Sequence, residues 1–153
     1  MDEAIDKIDR AILRELQKDA GQSVDAVAER VNLSRNATWR RIRRLDEAGV
    51  IRARRAILDA SKLGLNLSAL VLIRAAEHSD TWLEQFSAVV GSMQEIESAD
   101  RMSGELDYVI KVRVADMNAY DRFYKRLVAA IPIKDISASF VMEEMKEGGV
   151  INL

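Results

Sequence analysis

The residues of this chain best suited to chemistry are arginines. Eight of them, Arg35, Arg40, Arg41, Arg43, Arg44, Arg52, Arg54 and Arg55, fall in a stretch whose only acids are Asp46 and Glu47. The whole chain carries a formal charge of −2, so positive charge is gathered onto one short segment of a mildly acidic protein. A solvated helix face mixes its signs and uses lysine as readily as arginine. A run of arginine alone offers planar guanidinium forks, which grip phosphate oxygens and the guanine edge through paired hydrogen bonds. Such clustering is the electrostatic footprint of a nucleic-acid surface.

Two short helices must position these side chains. Val24, Val27, Ala28 and Val31 recur at the i, i+3, i+4, i+7 spacing of one apolar helix face, with Ser23 placed to cap it. Ser34 is a good N-cap for the next helix, and the sequence between the two is short enough only for a tight turn. Thr38, Ile42 and Leu45 face inward from that second helix; Arg35, Asn36, Trp39, Arg40, Arg43 and Arg44 face outward. Gly49 sits where a left-handed residue ends a helix. The pattern is a helix-turn-helix with its second helix as the reader of a major groove.

The candidate DNA-binding set is Ser34, Arg35, Asn36, Thr38, Trp39, Arg40, Arg41, Arg43, Arg44, Arg52, Arg54 and Arg55, of which Thr38 belongs to the inward stripe. Asn36 and Arg43 offer hydrogen bonds to adenine and guanine edges, and Trp39 can touch a thymine methyl or the sugar-phosphate edge. Arg35, Arg40, Arg41, Arg44 and some of Arg52, Arg54 and Arg55 are expected on phosphates. Arg41 and Arg44 point more to the side, where a phosphate or an intramolecular carboxylate is the natural partner.

Composition removes other chemistries. There is no cysteine, and the single histidine is His78, which argues against disulfides, thiolate or histidine metal sites and a histidine-dependent triad. No apolar run reaches the roughly 18 residues of a membrane span, and the acidic start is not a signal peptide. A cytoplasmic, nucleoid-associated protein without cofactor, metal or enzymatic activity is expected.

Residues 5–18 predict a first helix, with Ile5, Ile8, Ile12, Leu13 and Leu16 on one face and Asp2, Glu3 and Asp6 near its positive end. After Gly49, Val50 to Leu58 reads as a basic strand or wing. The division expected is a winged helix-turn-helix over 1–58, a linker over 59–65 and a second domain over 66–153. In that domain the period becomes strand, helix, strand, strand, helix, strand. Leu67–Ala75 reads as a strand buried on both faces. A helix capped at Ser79-Asp80 carries Trp82, Phe86, Val89 and Val90. Strands over 95–102 and 106–114 flank the turn Ser103-Gly104-Glu105. A helix capped by Asp116 carries Tyr120, Phe123, Tyr124, Leu127 and Val128 and ends at Pro132, and a last strand covers 136–142. This is an α+β chain ending in a ferredoxin-like βαββαβ sandwich with both helices on one face. Its other face, with Val109, Val141 and apolar residues of Leu67–Ile73, is a surface for a second copy.

The stretches LSRNATWRRIRRLDEAGVI, MSGELDYVIKVRVADMNAY and SFVMEEMK resemble the leucine-responsive regulatory protein/AsnC family of prokaryotic transcription regulators, in order and spacing from Ile5 to about Gly148. The resemblance implies homodimers, often octamers, and an amino acid or related metabolite as effector, bound between dimers beside the turn 102–108. Transferred to this chain, the effector set is Arg101, Met102, Ser103, Gly104, Glu105, Leu106, Asp107, Tyr108, Met117, Ser139, Phe140 and Val141. Gly104 would allow close backbone approach, Asp107 would meet the ammonium, and Met102, Leu106, Met117, Phe140 and Val141 would line the side-chain pocket. The same turn is also what a hairpin needs. Arg101 departs from the apolar or smaller residue usual in the family, which leaves room for an acidic ligand or none. An architectural DNA protein without effector is the alternative reading, and a tetrapyrrole decarboxylase of similar fold a remote one.

Overall fold

The computed structural model describes residues 4–146 and 149–153. The described residues divide into two compact units, residues 4–57 with 149–153, and residues 58–146. By contacts residues 149–153 group with the helical unit.

The first unit holds α1 (Lys7–Lys18), α2 (Val24–Arg30) and α3 (Arg35–Glu47). Of the acids expected at the head of α1, Asp6 is the N-cap, while Asp2 and Glu3 lie outside the described residues. Asp6 and Asp9 form a capping box, each carboxylate accepting from the other's backbone N–H. Ser23 caps α2 and Ser34 caps α3. The turn between these helices closes at Asn32, whose φ of 54° is left-handed, a conformation asparagine tolerates better than most residues. Gly49 takes the left-handed position after α3 at φ 69°.

The core of this unit contains a carboxylate. Ile12, Leu13, Val27, Ala28, Thr38 and Leu45 are buried, and so is Asp9, at 0 % exposure. Ile5 and Ile8, expected in the core, are more than a third exposed. Asp9 accepts from Arg41 at 2.8 Å and from Arg44 at 2.5 Å, and Arg41 also reaches Asp6 at 2.7 Å. Two side chains of α3 are thereby bolted to the first turn of α1.

Beyond Gly49 the expected wing strand is not formed. Residues 52–58 have no ladder partner among the described residues, and Ile57 is 85 % exposed. The physical reason is that a helical unit offers no sheet edge, so an isolated strand has nothing to satisfy its backbone.

The second unit begins with a 3₁₀ turn, Ser61–Leu63, inside the expected linker. It continues with β1 (Leu67–Ala75), α4 (Asp80–Ser92), β2 (Ile96–Arg101), β3 (Tyr108–Val114), α5 (Met117–Ala130) and β4 (Ile133–Phe140). The strands form one antiparallel sheet in the order β2-β3-β1-β4, the ferredoxin-like arrangement. Tyr108, Ile110, Val112 and Val114 alternate inward from β3, and Ala69, Val71, Ile73 and Ala75 from β1, to meet Trp82 and Phe86 of α4 and Phe123 and Leu127 of α5. Trp82 stacks on Phe86 at 5.0 Å and donates its indole N–H to the Pro132 carbonyl at 2.8 Å.

The expectation that β1 is buried on both faces is corrected. Its other register, Leu70 and Leu72, is only partly covered, because one face of the sheet carries both helices. That open face is mixed and not simply apolar. Lys111 and Arg113 pair there with Glu97 and Glu144. Lys111, then Arg113, hold the Glu144 carboxyl below the ordinary range.

Two outcomes follow from the anchor. Asp9→Ala removes the buried acceptor that Arg41 and Arg44 share. The loss should be about 3 kcal/mol in urea denaturation. The backbone N–H of Asp9 and the Arg41 guanidinium lower the Asp6 carboxyl from 3.8 to about 2. A depressed folded value contributes stability above the ordinary pKa, and that contribution is lost as pH falls through about 2. A carbon-13 titration should place the Asp6 midpoint near 2 and not near 4.

Candidate functional site

Helix α3 spans about 20 Å at 1.5 Å per residue, the length of a groove-reading helix. Asn36, Trp39, Arg40 and Arg43 recur at i, i+3, i+4, i+7 and are all exposed, Trp39 at 47 %. The Arg43 guanidinium lies over the Trp39 ring at 5.4 Å and pairs with Glu47 at 2.7 Å. Both partners of that pair are more than 60 % exposed. Such surface pairs are worth about 0–1 kcal/mol, so Arg43 can leave Glu47 for a base at little cost.

Arg41 and Arg44 are placed differently, which corrects their assignment to DNA. To reach a phosphate they would abandon a fully buried carboxylate, and an unpaired buried charge costs several kcal/mol. They mount the reading helix. Thr38 is likewise removed from the contact surface. It is fully buried, and its hydroxyl donates to the Ser34 carbonyl at 3.1 Å. Ser34 itself is the N-cap, accepting from Ala37 N–H. Arg35 pairs loosely with Asp25 at 3.3 Å, and Arg54 with Asp46 at 3.0 Å, all four exposed enough to exchange. Among the described residues Asn36, Arg40, Arg52 and Arg55 make no side-chain hydrogen bond or ion pair. The signal for the corrected residues was legible in part. Thr38 falls on the inward stripe of α3, and Asp9 lies in the predicted first helix as an acid among apolar neighbours.

The effector residues do not form one pocket in a single chain. The turn after β2 closes on Met102 N–H donating to the Asp107 carbonyl at 2.8 Å. Gly104 sits at φ 130°, with nothing within 4 Å of where a Cβ would stand. Arg101, Met102, Ser103, Gly104 and Glu105 are exposed, while Leu106 and Asp107 are half-buried. Asp107 accepts from Ala75 N–H at 2.8 Å, which finishes the β1 ladder, and its other oxygen lies 3.8 Å from His78. Tyr108 faces the helix-side core, 4.5 Å from the Phe86 ring, and is withdrawn from the set.

Ser139, Phe140 and Val141 lie beside Leu70, Ala69 and Ser68, at the opposite end of β1. From Ala69 to Ala75 the separation is roughly 20 Å at 3.4 Å per residue. At that far end Met117 and Phe140 join Tyr120, Tyr124, Asp121 and Ser137 around a cleft of about 390 Å³. Tyr120 meets Phe140 edge-on at 5.1 Å, and burial, then the neighbouring Tyr124, push its phenol upward in pKa. The helical spacing of Tyr120 and Tyr124 places them on a core-facing stripe and does not reveal that the cleft is open. Among the described residues there is no acid, histidine and cysteine cluster able to hold a metal, and no helix long and apolar enough to cross a membrane.

A capped reading helix with an exposed basic stripe, joined in sequence to a one-sided βαββαβ sheet, defines a two-domain DNA-binding regulator. Comparison with known proteins agrees. Residues 5–52 match the winged helix-turn-helix DNA-binding model and residues 68–151 the Lrp/AsnC ligand binding domain. The chain is 46 % identical over 143 residues to the DNA-binding transcriptional activator DecR of Escherichia coli, covering 93 % of this chain and 94 % of that protein. It superposes on an AsnC family transcriptional regulator from Agrobacterium tumefaciens with a TM-score of 0.92 at 45 % identity, covering 96 % of each chain. A Neisseria meningitidis transcriptional regulator, solved in complex with L-Met, also gives a TM-score of 0.92, at 30 % identity over 97 % of both chains. The chain belongs to the Lrp/AsnC family. Its relatives are transcription regulators and not enzymes, which answers the decarboxylase alternative.

Gly104→Ala tests the turn. With no steric contact to relieve, the substitution should cost about 1–3 kcal/mol in urea denaturation through backbone strain alone.

Proposed function

We propose that this regulator reads duplex DNA through Asn36, Trp39, Arg40 and Arg43, and grips phosphates through Arg35, Arg52, Arg54 and Arg55. The observation that carries this reading is the exposed stripe of α3, whose cations are free among the described residues or held only by exchangeable surface pairs. Phosphate contacts supply affinity, and each one steepens the fall of log K with log salt by about 0.9. Base contacts supply discrimination of about 1–3 kcal/mol per bidentate pair.

The chain works as a homodimer or larger assembly at the nucleoid, with the open sheet face around Leu70, Leu72 and Val109 against a second copy. Two-fold symmetry then suits a palindromic site with reading helices about 34 Å apart. The effector is an amino acid or related metabolite, bound where the turn 101–107 of one chain meets the cleft around Met117, Tyr120, Ser137 and Phe140 of another. The roughly 20 Å between these groups within one chain supports a site shared between chains. The L-Met complex of the Neisseria regulator supports the ligand class. Gating by such a ligand requires differential affinity for two assembled states, typically about 1–3 kcal/mol.

Fluorescence anisotropy with a duplex from the gene's own upstream region tests the division of roles. Arg43→Ala should relax sequence preference by about tenfold to hundredfold at its contacted base, whereas Arg54→Ala should weaken every duplex alike and reduce the salt slope by about 0.9. The same uniform loss in both would refute the assignment. A mixture of the twenty common L-amino acids should shift specific binding, and binding indifferent to it would favour an architectural role.

A further inference from the structure

The C-terminal segment touches α1 in a way that neither the reading helix nor the sheet requires. The Ile151 N–H donates to the Gln17 side-chain oxygen at 2.7 Å, and the Gln17 amide returns a bond to the Ile151 carbonyl at 3.0 Å. A side-chain amide here stands in for a peptide group and makes the two-point pairing of a sheet ladder. One turn earlier on α1, Arg14 donates to the Leu153 carbonyl at 3.0 Å.

Gly149, Ile151 and Leu153, every second residue, line a common groove with Leu13 and Leu16 of α1 and with Arg52 to Ile57 of the basic arm. Alternate residues on one side are the mark of an extended strand. The arm has no ladder partner among the described residues, and the tail stands with it along that groove. The attachment is light. All three hydrogen bonds are exposed, and Ile151 remains 68 % exposed, which places the tail among segments that open readily while the helices stay folded.

We propose that residues 149–153 are a strap of the DNA-reading unit, held by Gln17 and Arg14, that sets the course of the arm carrying Arg52, Arg54 and Arg55. Gln17 is then a positioning residue for phosphate contacts made by side chains other than its own. The proposal rests on the reading of those arginines as phosphate contacts. It also gives the chain a second covalent crossing between its units, since 58–146 is entered after Ile57 and left before residue 147.

The test compares the full chain with Gln17→Ala, Gln17→Glu and a chain lacking residues 149–153, each first shown by circular dichroism to retain its helices. Limited trypsin digestion read by mass spectrometry reports the arm without DNA. Gln17→Ala and the deletion should speed cleavage after Arg52, Arg54 and Arg55 by about fivefold or more, an order-of-magnitude expectation for a freed segment, with other sites unchanged. Gln17→Glu keeps the acceptor for Ile151 N–H and should fall between. Affinity for any duplex should drop with a salt slope smaller by about 1–2, while sequence preference is preserved, which a general loss of fold would not do. Unchanged cleavage at the arm overturns the strap. Faster cleavage with an unchanged salt slope overturns its link to phosphate contact. If the full chain itself bound no duplex, the DNA reading would fail, and the digestion would still decide the strap.

Discussion

The DNA-reading half of this protein depends on one desolvated carboxylate. Asp9 has no exposed surface, yet it keeps its charge company with two guanidinium groups from α3 and a backbone N–H from Asp6. A buried carboxylate is costly unless every lone pair is answered, so α3 can sit on α1 in few ways without leaving Asp9 unpaired. The cluster fixes rotation as well as contact. With Arg41 and Arg44 turned to α1, the residues at Asn36, Trp39, Arg40 and Arg43 are presented together on the far side.

The same electrostatic reasoning sorts the arginines that look alike in sequence. Where the carboxylate partner is buried, the pair is permanent, because separation strands a charge in low dielectric. Where both partners are wet, as with Arg43 and Glu47 or Arg54 and Asp46, the pair is nearly isoenergetic with solvated ions and exchanges readily. Exposed intramolecular pairs also compensate three of the eight arginines, Arg35, Arg43 and Arg54. One helix thus carries structural and exchangeable cations side by side, and burial of the acid, not the identity of the base, separates them.

The sheet unit follows a different constraint. Both helices pack on one face, so Trp82, Phe86, Tyr108, Phe123 and Leu127 make a single dense core. The opposite face, with Leu70 and Leu72 flanked by the Lys111, Arg113, Glu97 and Glu144 network, carries neither helix. The residues proposed for an effector likewise fall into two groups, at the two ends of β1.

What the sequence determined by itself were the features written in local chemistry. Serine caps at Ser23, Ser34 and Ser79, the stop at Gly49, and the helical and strand periods placed nearly every element within a few residues, because caps and periodicity act over one or two turns. The arginine density of α3 likewise announced its chemistry. Only the tertiary structure decided which arginines remain available, since Asp9 and Arg41 are 32 positions apart and nothing local pairs them. It also decided that Tyr108 belongs to the core, that 52–58 forms no strand, that the tail returns to α1, and that the two groups of ligand residues stand apart. Each of these turns on what lies opposite a side chain or a backbone edge, and that neighbour is set by packing and topology rather than by spacing along the chain.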